Sequence, residues 1–234
     1  MNTFNRFAAI LGFALVSAQA QAVTFDFTSA AGSTYTDLVT GLTVTASAWA
    51  DTAQGSKFEA ATLTVAADGL GVCNINQTGC AADKNMRSLD NDKAKELILF
   101  RFSSTVNLQS LDILQIGGFG ADLSVWAGTG TTFSPAGQKP NQIVTNFPGT
   151  ASGSYANGLS VNDVRIVTPL IAGSYDWLAV AASTTNRDRL SDLLKLQSLT
   201  VTPVAQPVPD AASWMTMLAG LGLVGFAVNR RTKT

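Results

Sequence analysis

Apolar and polar residues alternate along most of this chain in short runs, separated by clusters of Gly, Asn, Asp, Ser and Pro. In residues 43–49 the alternation sets Val44, Ala46 and Ala48 on one face and hydroxyls with Trp49 on the other. That period of two is the signature of a half-buried strand. Residues 59–65 repeat it, with Ala61, Leu63 and Val65 facing inward. Residues 97–102 are apolar on both faces over most of their length, which marks a central strand. The same pattern predicts strands at 24–27, 110–116, 122–126, 163–167, 175–181 and 196–204, in runs rich in Thr and Val, as a pleated surface prefers. About nine strands in one domain predict an all-β fold, a two-sheet β-sandwich of jelly-roll type. Residues 187–195 depart from the pattern, with charges at helical spacing, and read as one or two helical turns or an extended loop. The Gly/Ser/Asn-rich stretch 152–162 reads as a surface loop.

Both ends of the chain read differently. Residues 1–22 have the form of a secretory signal peptide: Arg6 and the amino terminus supply charge, residues 7–16 an apolar run, and Ala20-Gln21-Ala22 a small-residue cleavage site. Residues 203–210 form a Pro-rich, extended linker ending in Val208-Pro209-Asp210. An apolar span follows at 211–229, uncharged throughout. Its first 18 residues, as a helix, would extend roughly 27 Å, close to the hydrocarbon thickness of a bilayer. Arg230, Arg231 and Lys233 in 230–234 then supply a basic stop that stays on the cytoplasmic side. The exported β-sandwich domain is thereby bounded at 23–202, between a signal peptide and a single C-terminal transmembrane helix.

The tail, Val208-Pro209-Asp210-Ala211 followed by Gly220-Leu221-Gly222-Leu223 and Arg230-Arg231, resembles the PEP-CTERM sorting tail of bacterial exosortase substrates, in a Val-Pro-Asp variant of the motif. Within the domain, Gly69-Leu70-Gly71-Val72 with Leu89-Asp90-Asn91 resembles the ectodomain of some exosortase-dependent surface proteins. The resemblance implies an exosortase-type processing enzyme as partner, residence in the inner membrane before processing, and delivery to the cell surface or extracellular matrix. It also implies contact with exopolysaccharide.

Charge and composition narrow the chemistry. All 16 acidic residues but only 11 of the 15 basic ones fall in 23–210, leaving a net charge of −5 on the exported part. That balance argues against nucleic acid as a partner. The chain has no histidine, which removes Ser-His-Asp and Cys-His catalysis. No Gly-x-Ser-x-Gly elbow and no phosphate-cradling Gly loop occurs. A glycosidase needs only two carboxylates, but Glu59 and Glu96 are the only glutamates and nothing singles out any Asp. No catalytic residue is assigned.

Cys73 and Cys80, the only cysteines, stand either side of a Gly/Asn turn. In an exported chain such a pair reads as one disulfide. Around them Asp68, Asp83, Asp90, Asn91 and Asp92 bring oxygens to one long stretch without a strand signal of its own. Such oxygens suit calcium, a hard cation, while the spacing is not that of an EF-hand. Asp and Asn are also ordinary turn residues, and both readings stand. Trp49, Trp126, Trp177, Tyr155 and Tyr175 offer a candidate platform for sugar rings, with Trp49 and Trp126 on the polar side of their strands. The expected function is a non-enzymatic exported surface or matrix protein, structural or adhesive. The alternatives are a secreted carbohydrate-active enzyme using a carboxylate pair, and a permanently membrane-anchored adhesin.

Overall fold

All nine runs read as strands from their alternation fall on strands of the structure, none extending more than one residue beyond its strand, in a computed structural model that describes residues 20–29, 32–77, 87–156, 163–168, 171–184 and 191–204. The sorting motif, the apolar span, the basic end and most of the signal peptide lie outside these residues, as do Cys80 and Asp83. In chain order the strands are Val23–Asp26 (β1), Thr34–Thr36 (β2), Thr43–Ala53 (β3), Lys57–Ala66 (β4), Gly69–Cys73 (β5) and Leu89–Asp90 (β6). They continue with Glu96–Gln115 (β7), Leu123–Gly128 (β8), Ala151–Tyr155 (β9), Val164–Val167 (β10), Tyr175–Ala182 (β11) and Leu193–Pro203 (β12). No helix among the described residues is long and apolar enough to cross a membrane.

The strand that organises the rest is β7, 20 residues long. It joins two runs that the sequence presents as separate, 97–102 and 110–116. Its first half lies between β3 and β11, with Ala50 opposite Glu96, Val44 opposite Phe102 and Ala181 opposite Leu97. Its second half lies between β12 and β10, with Leu199 opposite Leu111 and Arg165 opposite Ile113. One strand therefore serves both layers, and the pairings β3–β4, β4–β5, β5–β12, β12–β7 and β7–β3 close a ring. The result is an all-β, barrel-like sandwich. The polar residues Ser103, Ser104 and Thr105 look like a break in the sequence. In the structure they are where the strand changes partners.

Ring closure rests on a close approach that explains the Gly69-Leu70-Gly71-Val72 segment. A Cβ on Gly69 would sit 2.5 Å from the Leu196 carbonyl oxygen, and its φ of +119° excludes most side chains in any case. A Cβ on Gly71 would sit 1.7 Å from the Arg87 carbonyl oxygen. Residues 87 and 88 cross over β5 here, and the Val72 amide donates to Ser88 O at 3.1 Å. Only backbone fits between β5 and these neighbours.

Four strands carry no legible alternation. Of these, β5 and β6 fall in the 68–92 stretch that the sequence presents as strandless, and β9 falls in the expected 152–162 loop. The edge strand β9 turns only Ala151, Gly153 and Tyr155 inward between two serines, and β5 is buried on both faces, so period two has little to mark. The fourth, β2, is three residues long. The helical reading of 187–195 is corrected from Leu193 onward, where β12 begins. Leu193, Leu194, Lys195 and Leu196 are all buried, and a segment covered on both faces pairs as a central strand whatever its charge spacing.

The apolar residues form two cores. The larger lies inside the ring, where Val44, Leu70, Ile98, Leu111 and Leu199 meet. Phe27 stacks on Phe100 there with centroids 5.4 Å apart. Ala61, Leu63 and Val65 pack against it from β4, on the face the alternation assigns to them. The smaller core covers the opposite face of β3, β7, β8 and β11, joining Phe58, Leu97, Leu99, Trp126 and Trp177 to Phe133 and Ile143. Residues 129–149, with a 3-10 turn Pro140–Gln142 and one helical turn Ile143–Asn146, supply the cover. The Arg101 guanidinium holds them by donating to Thr131 O at 3.0 Å and to Phe133 O. A run such as 97–102, apolar on both faces, calls for this second layer.

Candidate functional site

The site is built at one end of the sandwich, where the β3–β4 hairpin, the turn before β7, the end of β11 and the 3-10 turn meet. Alternation along β7 sends Leu97 and Leu99 to the smaller core and Glu96 to the inner face, opposite Ala50. Glu96 is fully buried there. Its carboxyl accepts from Asn74 Nδ2 at 2.8 Å and from the Asp90 amide at 3.0 Å. Burial, with Asp90 nearby, pushes its pKa up to about 9. Asp90 is 6% exposed and accepts from Gln77 Nε2 at 3.0 Å. Burial pushes its pKa up to about 6. Two raised carboxyls with matched donors make a polar plug that ends the main core, since buried polar groups must be hydrogen-bonded.

A second network adjoins the plug. Asn91 Nδ2 donates to Ser183 O at 2.8 Å and to Asp192 Oδ2 at 2.6 Å, while Asp192 Oδ1 accepts the Asp122 amide at 2.8 Å. Ser191 Oγ donates to Asp92 at 3.2 Å, and the buried Lys195 ammonium pairs with Asp68. Asp90, Asn91 and Asp92 are thus brought to one end of the fold, with oxygens already facing protein donors. Asp68 serves Lys195 instead. Among the described residues no three acidic or thiol groups gather closely enough to hold a metal ion. Asp192, Asn74 and Gln77 complete these networks. No motif in the sequence marks them, because each acts through a strand pairing or a turn remote along the chain.

Cys73 ends β5, half-buried, and no cysteine among the described residues is free. Its expected partner Cys80 lies outside those residues.

The aromatic platform is corrected. Trp126 and Trp177 are 6% and 1% exposed and belong to the smaller core. Phe133 lies parallel on Trp177 at 3.8 Å between centroids, and Trp177 crosses Gly128 so closely that a Cβ there would meet the indole at 2.5 Å. Trp49 packs against the same core and donates through Nε1 to Ser47 Oγ at 3.1 Å. Tyr175 is buried and donates to Ala172 O at 2.6 Å, and Tyr155 packs half-buried against the main core. The polar side of β3 and β8 is polar in sequence only around these rings. The loop 129–149 that covers them is too distant along the chain for alternation to reveal.

One edge of Trp126 still reaches the surface. It contributes to an open groove of about 510 Å³ lined also by Asp51, Lys95, Lys139, Asn141 and Val144. The carboxylate of Asp51 accepts the Lys95 amide at 2.6 Å. Glu59, whose Oε1 accepts Thr52 Oγ1 at 2.5 Å, does not line the groove. Neither does Glu96, which faces the other side of β7.

No protein-family model and no curated protein matches the chain. A solved structure, a GH29 fucosidase of Ruminococcus gnavus in complex with fucose, aligns over 78% of this chain at 8% identity and a TM-score of 0.30. The aligned region spans 27% of that structure's own length. A similarity this low carries no argument about fold or activity.

Proposed function

We propose that this is a non-enzymatic, exported surface or matrix protein that contacts exopolysaccharide through the open groove at one end of a jelly-roll-like sandwich. The observation that carries the reading is the groove's lining. Among the described residues it offers hydrogen-bonding side chains, two lysines and an indole edge, but a single carboxylate, Asp51. Hydrolysis of a glycosidic bond by a carboxylate pair requires two carboxyl groups flanking one site. Binding requires none. An open cleft of a few hundred cubic ångströms has the size of a small-ligand site.

Export and sorting rest on the two ends of the chain. A signal peptide at 1–22 and a tail at 203–234 would deliver the domain outside the cytoplasm, where Cys73 and Cys80 pair. In a host with a matching exosortase, mass spectrometry of protein recovered from the cell surface is expected to find a chain that starts at Val23 and ends near Asp210. Recovery of surface protein with residues 211–234 intact would overturn sorting and leave a permanent membrane anchor.

A further inference from the structure

We propose that the groove selects an acidic polysaccharide, one whose sugar rings carry both a carboxylate and free hydroxyls. The inference rests on the reading of the protein as a glycan-contacting surface protein and names the class of glycan.

Its basis is where the lysines fall. Lys57 opens β4 opposite Ala53, beside the hairpin turn. Lys93 and Lys95 lie in the turn before β7, and the Lys95 carbonyl accepts the Asp51 amide at 3.0 Å. Lys139 precedes the 3-10 turn, next to Gln138, whose carbonyl accepts the Phe58 amide at 2.9 Å. Strand pairing therefore gathers these four lysines, from three separate segments, at one end of the molecule. The fifth described lysine, Lys195, is fully buried against Asp68. Of the other four, Lys95 and Lys139 line the groove itself, while Lys57 and Lys93 sit on the adjoining hairpin and turn, in a domain whose exported part carries a net −5. Lysines that converge on one groove attract anions and orient them as they approach.

The remaining lining decides between anions. Asp51, Asn141 and Thr184 are suited to hydroxyl groups, which donate to a carboxylate and exchange hydrogen bonds with amides and hydroxyls. The Trp126 edge and Val144 meet the apolar C–H face of a ring. A densely sulfated ring would crowd Asp51 with like charge and bring few hydroxyls to these partners. A neutral ring would leave Lys139 without a counter-charge, Lys95 being the one that Asp51 already faces. A carboxylated, hydroxyl-bearing ring answers both.

The test uses the full chain in detergent, with polygalacturonate, neutral dextran and dextran sulfate as probes at matched ionic strength. Polygalacturonate is expected to bind most tightly, with an affinity that falls as salt rises. The double variant Lys95→Gln, Lys139→Gln is expected to melt as the wild type does and to bind polygalacturonate about tenfold more weakly, with a flatter salt dependence. Undiminished binding by the double variant would overturn the proposal. Dextran bound as tightly as polygalacturonate would overturn the acidic class while leaving glycan contact in place. Preference for dextran sulfate would assign charge density alone and overturn the carboxylate. No retention of any glycan would overturn the parent reading as well.

Discussion

Thermal melts of the full chain are expected to reach their highest midpoint at about pH 4 to 5 and to lose stability steadily toward pH 9. The cause is the polar plug. Burial, then the neighbouring Asp90 and Asp51, raises Glu96 from 4.5 to about 9. Burial raises Asp90 from 3.8 to about 6, with Asp92 opposing its ionisation and Lys93 favouring it. The folded chain therefore keeps protons that the unfolded chain has already released. Stability from these groups is full below the unfolded values and falls as pH rises through about 6 and then about 9. Asp26 and Asp37 act oppositely. Hydrogen bonds from Thr28 and Thr40 lower their pKa values, so their contribution is lost in acid and bounds the optimum from below. Glu96→Gln is expected to flatten the alkaline limb. Glu96 accepts two donors, and an amide oxygen replaces only one acceptor, so the variant is also expected to lose about 1 kcal/mol near pH 4. Circular dichroism melts across the range check both points. A midpoint that is flat or rising between pH 5 and 9 would contradict the buried pair.

Trp177→Ala is expected to cost about 3–5 kcal/mol in urea unfolding, the range for emptying a large aromatic site in a core. Trp177 is 1% exposed, lies on Gly128 and stacks on Phe133. Its Nε1 has no hydrogen-bond partner among the described residues, so Trp177→Phe loses packing but no bond and is expected to cost less than the Ala variant. Trp→Ala in an exposed sugar platform would change stability little and remove binding instead. A loss below about 1 kcal/mol would show that residues 129–149 do not cover the sheet as described.

The contrast between these two sites shows what alternation reports. It reveals which residues share a face of a strand. Alternation assigns Val44, Ala46, Ala61 and Leu63 to the core face because each needs only its own strand's pleat. It does not reveal what lies over the other face. Trp126 and Trp177 sit on the non-core side of the ring, and only residues 129–149, folded back from the far end of β8, bury them. The two-sided apolar run 97–102 was the available sign of a second layer. Glu96 is a different case. A lone glutamate at a strand's start reads as a surface residue or a half of a carboxylate pair, and its burial depends on Asn74 and Asp90 arriving through β5 and β6. Those strands were hidden, one by glycines needed for close approach to Leu196 and Arg87, the other by its length of two residues. The groove is equally hidden, since Lys95 and Lys139 lie in two turns that only pairing with the β3–β4 hairpin unites.

The most direct measurement pairs retention with turnover. The full chain in detergent is incubated with immobilised polysaccharides, and both bound protein and newly released reducing ends are quantified. The expected result is saturable retention on at least one polysaccharide with no reducing ends above the protein-free control. Release of reducing ends by the wild type, abolished in Asp51→Asn or Glu96→Gln, would contradict a binding protein and establish a carbohydrate-active enzyme instead.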